Sequence, residues 1–204
     1  EMLYEFESTV REKGGIALFH YGGHGVHVEG KNYLIPADAD IPDERRARTR
    51  AVNVEEVMAT LEASGSATNI VILDACRNNP LPGKERSAAR GLATIERKPK
   101  NSIIVYAAEA GTVARDGVFT PTLVKHLGQQ GARFTDVLRE VRKEVYAITN
   151  GEQTPGAYDQ SFEPIYLAGY KGGSASSSGA ASAAGAGTES TGPGGGTPTS
   201  AEGM

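Results

Sequence analysis

Ile70-Val71-Ile72-Leu73-Asp74-Ala75-Cys76-Arg77 is the stretch that decides the fold. Four apolar residues in a row, with no polar alternation, describe a strand buried on both faces, as in a parallel sheet covered by helices on each side. The run stops at a carboxylate and at Cys76, the one cysteine of the 204-residue chain. A second segment has the same form: Ile16 to Tyr21 is apolar and ends in Gly22-Gly23-His24-Gly25, a histidine on a glycine-flanked turn. In open α/β sheets, sites gather at the carboxyl ends of strands, where both His24 and Cys76 fall.

Between and after these strands the pattern turns helical. Leu3, Phe6 and Val10 repeat with helical spacing up to Gly14-Gly15. Asn53 and Glu56 form a capping box before Val54, Val57, Met58 and Leu61. Thr120-Pro121 reads as a cap followed by a first-turn proline, with Leu123, Val124 and Leu127 as the buried face. A further helix is expected from about Thr135 to Ile148, with Val137, Leu138, Val141, Val145 and Ile148 in phase. His27 to Ile35 is hairpin-like with a turn at Gly30-Lys31-Asn32, and Asp43 to Arg50 is charged and reads as a loop. Asn79 to Lys100 reads as a long basic surface loop, Ile103 to Ala108 as a strand, Gly151 to Ser161 as a loop and Pro164 to Ala168 as a last strand. Strands separated by helices imply crossover connections, hence an α/β domain with a mostly parallel sheet and helices on both faces.

That domain is expected to span residues 1–170. Residues 171–204 are nearly all Gly, Ser, Ala, Thr and Pro, without one Leu, Ile, Val or aromatic after Tyr170 and Lys171. Such a segment cannot offset the entropy of ordering and reads as a linker or tail. A net charge of −4 argues against nucleic acid as a partner, and no run of apolar residues is long enough to span a bilayer. A single cysteine excludes a disulfide within the chain.

A thiol is a nucleophile only as thiolate, and an imidazole beside it lowers its pKa and returns a proton to the leaving group. His24 and Cys76 are therefore the candidate catalytic pair. His20 and His27 do not turn His24 into a metal site: a four-residue spacing aligns ligands on a helix, and this segment is strand and turn. No metal is expected there, and His20 reads as a partly buried strand residue. Asp74, two positions before Cys76 on the same strand, shares its face.

Together these motifs resemble the caspase-like cysteine peptidases, and most closely the bacterial caspase and metacaspase branch. The caspase signature Q-A-C-[RQG]-G has its histidine roughly 50 residues upstream; here, in Asp74-Ala75-Cys76-Arg77-Asn78, Cys76 follows His24 by 52 positions. Tyr21-Gly22-Gly23-His24-Gly25 is similar to the family's Y-[SA]-G-H-G turn, with support from Asn32 to Asp38, Gly91-Leu92 and Ile103 to Ala108. The resemblance covers roughly residues 1 to 168. It implies a caspase-like three-layer sandwich of about six strands, of which four are evident, with the family's first two strands lying before residue 1. The chain, which starts mid-helix, thus reads as N-terminally truncated.

The resemblance also implies a cysteine endopeptidase acting on protein or peptide substrates. The Gly25 and Cys76 amides would hold the oxyanion, and the Asp74 carboxylate would attract Arg or Lys where caspases that cut after aspartate carry Gln. Gly22 departs from the family, many metacaspases having Ser there. Asp38, Asp40, Glu55 and Glu56 are similar to the calcium cluster of some metacaspases, but Pro80 to Gly83 supplies no further carboxylate. No cofactor is expected, with calcium the alternative left open. A basic loop beside an acidic pocket also suggests self-cleavage at Arg86, Arg90 or Arg97. The competing function is a catalytically silent caspase-like binding or scaffold module.

Overall fold

The computed structural model describes residues 2–76, 92–95, 98–109 and 114–169, without the side chains of Met2 and Cys76. The helix α1 (Met2–Lys13) leads into β1 (Ile16–Val28) and β2 (Lys31–Leu34). After α2 (Glu44–Arg50) and the two-residue β3 (Val52–Asn53) come α3 (Val54–Ala63) and β4 (Thr68–Cys76). The chain then builds β5 (Ser102–Tyr106), α4 (Phe119–Leu127), α5 (Phe134–Ile148) and β6 (Gly156–Asp159). The strands form one six-stranded sheet in the order β3-β2-β1-β4-β5-β6. The central pairs β1–β4 and β4–β5 are parallel, whereas β1–β2, β2–β3 and β5–β6 are antiparallel. The sheet is thus mixed, with its parallel part where the uninterrupted apolar runs predict it.

The alternation of β4 divides the core in two. Ile70 and Ile72 face α4 and α5, meeting Phe119, Leu123, Phe134, Val137 and Val141. Val71, Leu73 and Ala75 face the other way, into α1 and α3, meeting Val10, Val54, Val57, Met58 and Leu61. Helices therefore cover both faces, as expected. They cover them unevenly, because Ile16 and Leu18 on the α4 side of β1 remain exposed, at 43% and 40%. Over Ile16–His24 strand β1 pairs with β4 on one edge only, since β2 joins the opposite edge at Gly25–Val28.

Several local expectations change. Strand β1 does not end at Tyr21; it continues extended through the glycines to Val28, since the ladder to β4 runs unbroken to His24 and the ladder to β2 takes over at Gly25. The hairpin turn is Glu29-Gly30, one position earlier than predicted, with φ of 50° and 81°. A two-residue loop with both central φ positive matches the twist of the flanking strands. Residues Asp43 to Arg50 are not a loop: the Asp43 carboxylate accepts from the Arg46 N–H at 2.8 Å and caps α2, whose Ala47 is fully buried.

Asn53 caps α3, though not as the expected capping box with Glu56: its side chain accepts from Glu55 N–H at 2.8 Å. The last strand is β6, inside the segment predicted as loop, while Pro164–Ala168 is irregular and is held by Phe134 N–H donating to Ile165 O at 2.7 Å. Val124 and Ile148, expected in the core, are exposed at 63% and 53%. The basic segment after Cys76 lies largely outside the described residues, Arg86, Arg90 and Arg97 with it, as do residues 170–204. Where it is described it is not a surface loop, for Leu92 and Ile95 are buried in the α1/α3 core.

Candidate active site

His24 and Cys76 are register partners at the last rung of the parallel β1–β4 ladder. Neighbouring strands lie about 4.8 Å apart, so paired residues are direct neighbours across the ladder. The same register pairs Gly22 with Asp74 and His20 with Ile72. His20, Gly22 and His24 on β1 therefore share a face with Asp74 and Cys76 on β4, the face toward α4. His24 is exposed, at the last position of β1 that pairs with β4.

A clamp fixes the histidine's backbone. The Tyr21 hydroxyl lies 2.7 Å from His24 O and 2.8 Å from Ile35 O, and Ile35 N–H donates to His24 O at 2.9 Å. Burial pushes the Tyr21 phenol pKa up from 10.0, partly offset by the bond to Ile35, so the ring stays a donor. To reach His24 the ring crosses Gly23, where a Cβ would stand 2.7 Å from the hydroxyl. This explains the glycine before the histidine. Gly25 has a different reason: a Cβ there would lie 2.7 Å from Leu92 Cδ2. The Ile35–His24 bond makes Gly25 and Leu34 a non-hydrogen-bonded pair, which turns the Gly25 N–H toward the β4 side.

Asp74 is half-buried, and its Oδ2 accepts the Thr120 hydroxyl at 2.6 Å and the Thr120 N–H at 3.2 Å. Thr120 does not cap its own helix as predicted. Helix α4 starts at Phe119 with no side-chain cap, and the hydroxyl crosses to the sheet instead. His20 is exposed, not the partly buried strand residue expected; its Nε2 lies 3.3 Å from Thr120 Oγ1 in the first turn of α4. Sequence reasoning missed Thr120 as a partner of Asp74, the two being 46 positions apart with no local signal joining them.

No group of three or more His, Cys, Asp or Glu converges among the described residues, so Asp38, Asp40, Glu55 and Glu56 do not gather into one cluster. No helix among them is long and apolar enough to cross a membrane.

With this geometry in place, comparison with known proteins decides the family. The family model described as the caspase domain matches residues 1–166. This chain belongs to the caspase domain family. That family consists of cysteine peptidases. No curated protein matches the chain. Among solved structures, this caspase domain is similar to the Drosophila initiator caspase Dronc, with a TM-score of 0.52, 12% identity and coverage of 82% of this chain. It spans 62% of the length of that caspase. A protein of Geobacter sulfurreducens gives a TM-score of 0.48 at 13% identity, covering 81% of this chain and 74% of its own. At these identities the likeness to Dronc speaks for the caspase fold alone.

Proposed function

We propose that this caspase domain is a cysteine endopeptidase that cleaves after Arg or Lys through the pair His24 and Cys76. The observation that carries the reading is their facing register at the carboxyl end of the parallel ladder between two central strands. In this reading the Cys76 thiolate attacks the scissile carbonyl carbon and a thioester forms as the C–N bond breaks. His24, protonated by the thiol, gives that proton to the departing amine; water then releases the acid and restores the thiol. The Gly25 and Cys76 amides would stabilise the tetrahedral oxyanion, which the turn of the Gly25 N–H toward β4 supports.

The basic preference rests on Asp74, the carboxylate that shares the face of His24 and Cys76. A desolvated carboxylate attracts guanidinium or ammonium and repels an acidic side chain. Hydrolysis of matched fluorogenic peptides ending in Arg, Lys, Asp or Leu tests it. Release from Arg and Lys peptides is expected, with Cys76→Ala and His24→Ala each lowering kcat by about a thousandfold or more, non-additively. Asp74→Asn is expected to erase the preference for Arg over Leu. Undiminished turnover in Cys76→Ala would overturn the mechanism, and an unchanged preference in Asp74→Asn would remove Asp74 from the pocket.

A further inference from the structure

An aspartate at a strand end can rotate about two bonds, and a carboxylate that is to receive a basic side chain gains from being held in one orientation. Asp74 is held through one oxygen. Oδ2 takes both the hydroxyl and the amide of Thr120, and Thr120 is the only hydrogen-bond partner of the carboxylate among the described residues. The amide belongs to the first turn of α4, whose N–H groups have no partner within the helix and favour a negative charge. The hydroxyl has a single proton, and the 2.6 Å contact to a carboxylate takes it. His20 Nε2, 3.3 Å from Oγ1, is then left to donate, so the ring orients the hydroxyl proton toward Asp74.

We propose that Thr120 is a positioning residue for substrate specificity: from α4 it fixes the Asp74 carboxylate so that Oδ1 meets the basic side chain, and His20 sets the direction of its hydroxyl. The proposal rests on the reading of Asp74 as the basic-pocket residue. Three elements, β1, β4 and α4, thereby converge on one oxygen, and the pocket's geometry is tied to the packing of α4. The competing role is a strap joining helix to sheet, in which Asp74 merely completes the cap of α4. The two roles use the same bonds and differ in what they do to substrate choice.

Replacing Thr120 by Val keeps the shape and the backbone N–H and deletes only the hydroxyl, whereas Thr120→Ser keeps the hydroxyl. Each full-chain variant is assayed on two peptides differing at one residue, arginine or its neutral analogue citrulline, and with iodoacetamide as a small thiol reagent. For Thr120→Val the arginine-to-citrulline ratio of kcat/KM is expected to fall about tenfold, mostly through KM, the loss of one hydrogen bond to a charged group. Alkylation of Cys76 is expected to keep its wild-type rate, and Thr120→Ser to restore the ratio. His20→Ala is expected to lower the ratio in the same direction by a smaller factor. An unchanged ratio in Thr120→Val, or equal losses on both peptides and in alkylation, would overturn the proposal and leave the strap. A wild-type protein that cleaves both peptides equally, or neither, would instead overturn the basic-specificity reading and this proposal with it.

Discussion

Gly22 and Gly23 are adjacent in the sequence and answer to different constraints. At Gly22 the nearest atoms to an added Cβ are His20 Cε1 at 3.7 Å and Asp74 O at 4.0 Å, ordinary contacts that leave room for a side chain. At Gly23 an added Cβ meets the Tyr21 hydroxyl at 2.7 Å and its Cζ at 3.1 Å, and that ring is pinned by its contacts to His24 O and Ile35 O. Gly22→Ser is therefore expected to change unfolding free energy by less than about 0.5 kcal/mol, while Gly23→Ala costs about 1–3 kcal/mol by displacing the ring. Urea denaturation of the two variants checks the contrast, and equal costs would mean that Tyr21 does not hold His24. The glycines around His24 were legible as a motif. Their individual reasons were not, because each depends on a neighbour, Tyr21 or Leu92, whose placement only the fold supplies.

At the scale of elements, residues 92–95 are anchored where the sequence suggested a solvated loop. The Asn32 side chain donates to Ala93 O at 3.0 Å and accepts from Ala93 N–H at 2.7 Å, and the Ile95 N–H donates to the Tyr106 hydroxyl at 3.1 Å. Asn32 itself is 2% exposed. A two-sided amide bond of this kind stitches the backbone of 92–95 to β2 and seats Leu92 on Gly25. Asn32→Ala removes both bonds and is expected to cost about 2–3 kcal/mol. Faster hydrogen exchange at the Ala93 amide would accompany it, without change in β4 or β5. Uniformly faster exchange across the sheet would contradict a local anchor. Prolines and basic residues obscured this anchor, since two buried apolar residues, Leu92 and Ile95, are too few to create a period. The same limit hid α2 and β6. The first is seven residues with one buried alanine, and the second is a four-residue edge strand whose pattern alternates only between partly buried and exposed.

For the whole molecule, the features that survive from sequence to structure are those that bury most apolar surface. The unbroken runs of β4 and β5 and the amphipathic faces of α3 and α5 could be placed from composition and period alone, because burial on two faces leaves no alternative pattern. The parallel centre of the sheet and the location of His24 and Cys76 at its carboxyl end followed from them. The antiparallel margins, the extension of β1 and the link between Asp74 and Thr120 arise from contacts distant in the chain and have no local signature. The central claim is that the last pair of the parallel β1–β4 ladder makes His24 and Cys76 one catalytic unit. It is tested most directly by treating the protein and its His24→Ala variant with a peptidyl-arginine chloromethyl ketone and reading intact mass, with the modified residue mapped by peptide sequencing. The account predicts a single adduct on Cys76 in the wild-type protein, formed at least about a hundredfold more slowly in His24→Ala. An adduct elsewhere, or equal rates of labelling in the two proteins, would contradict it.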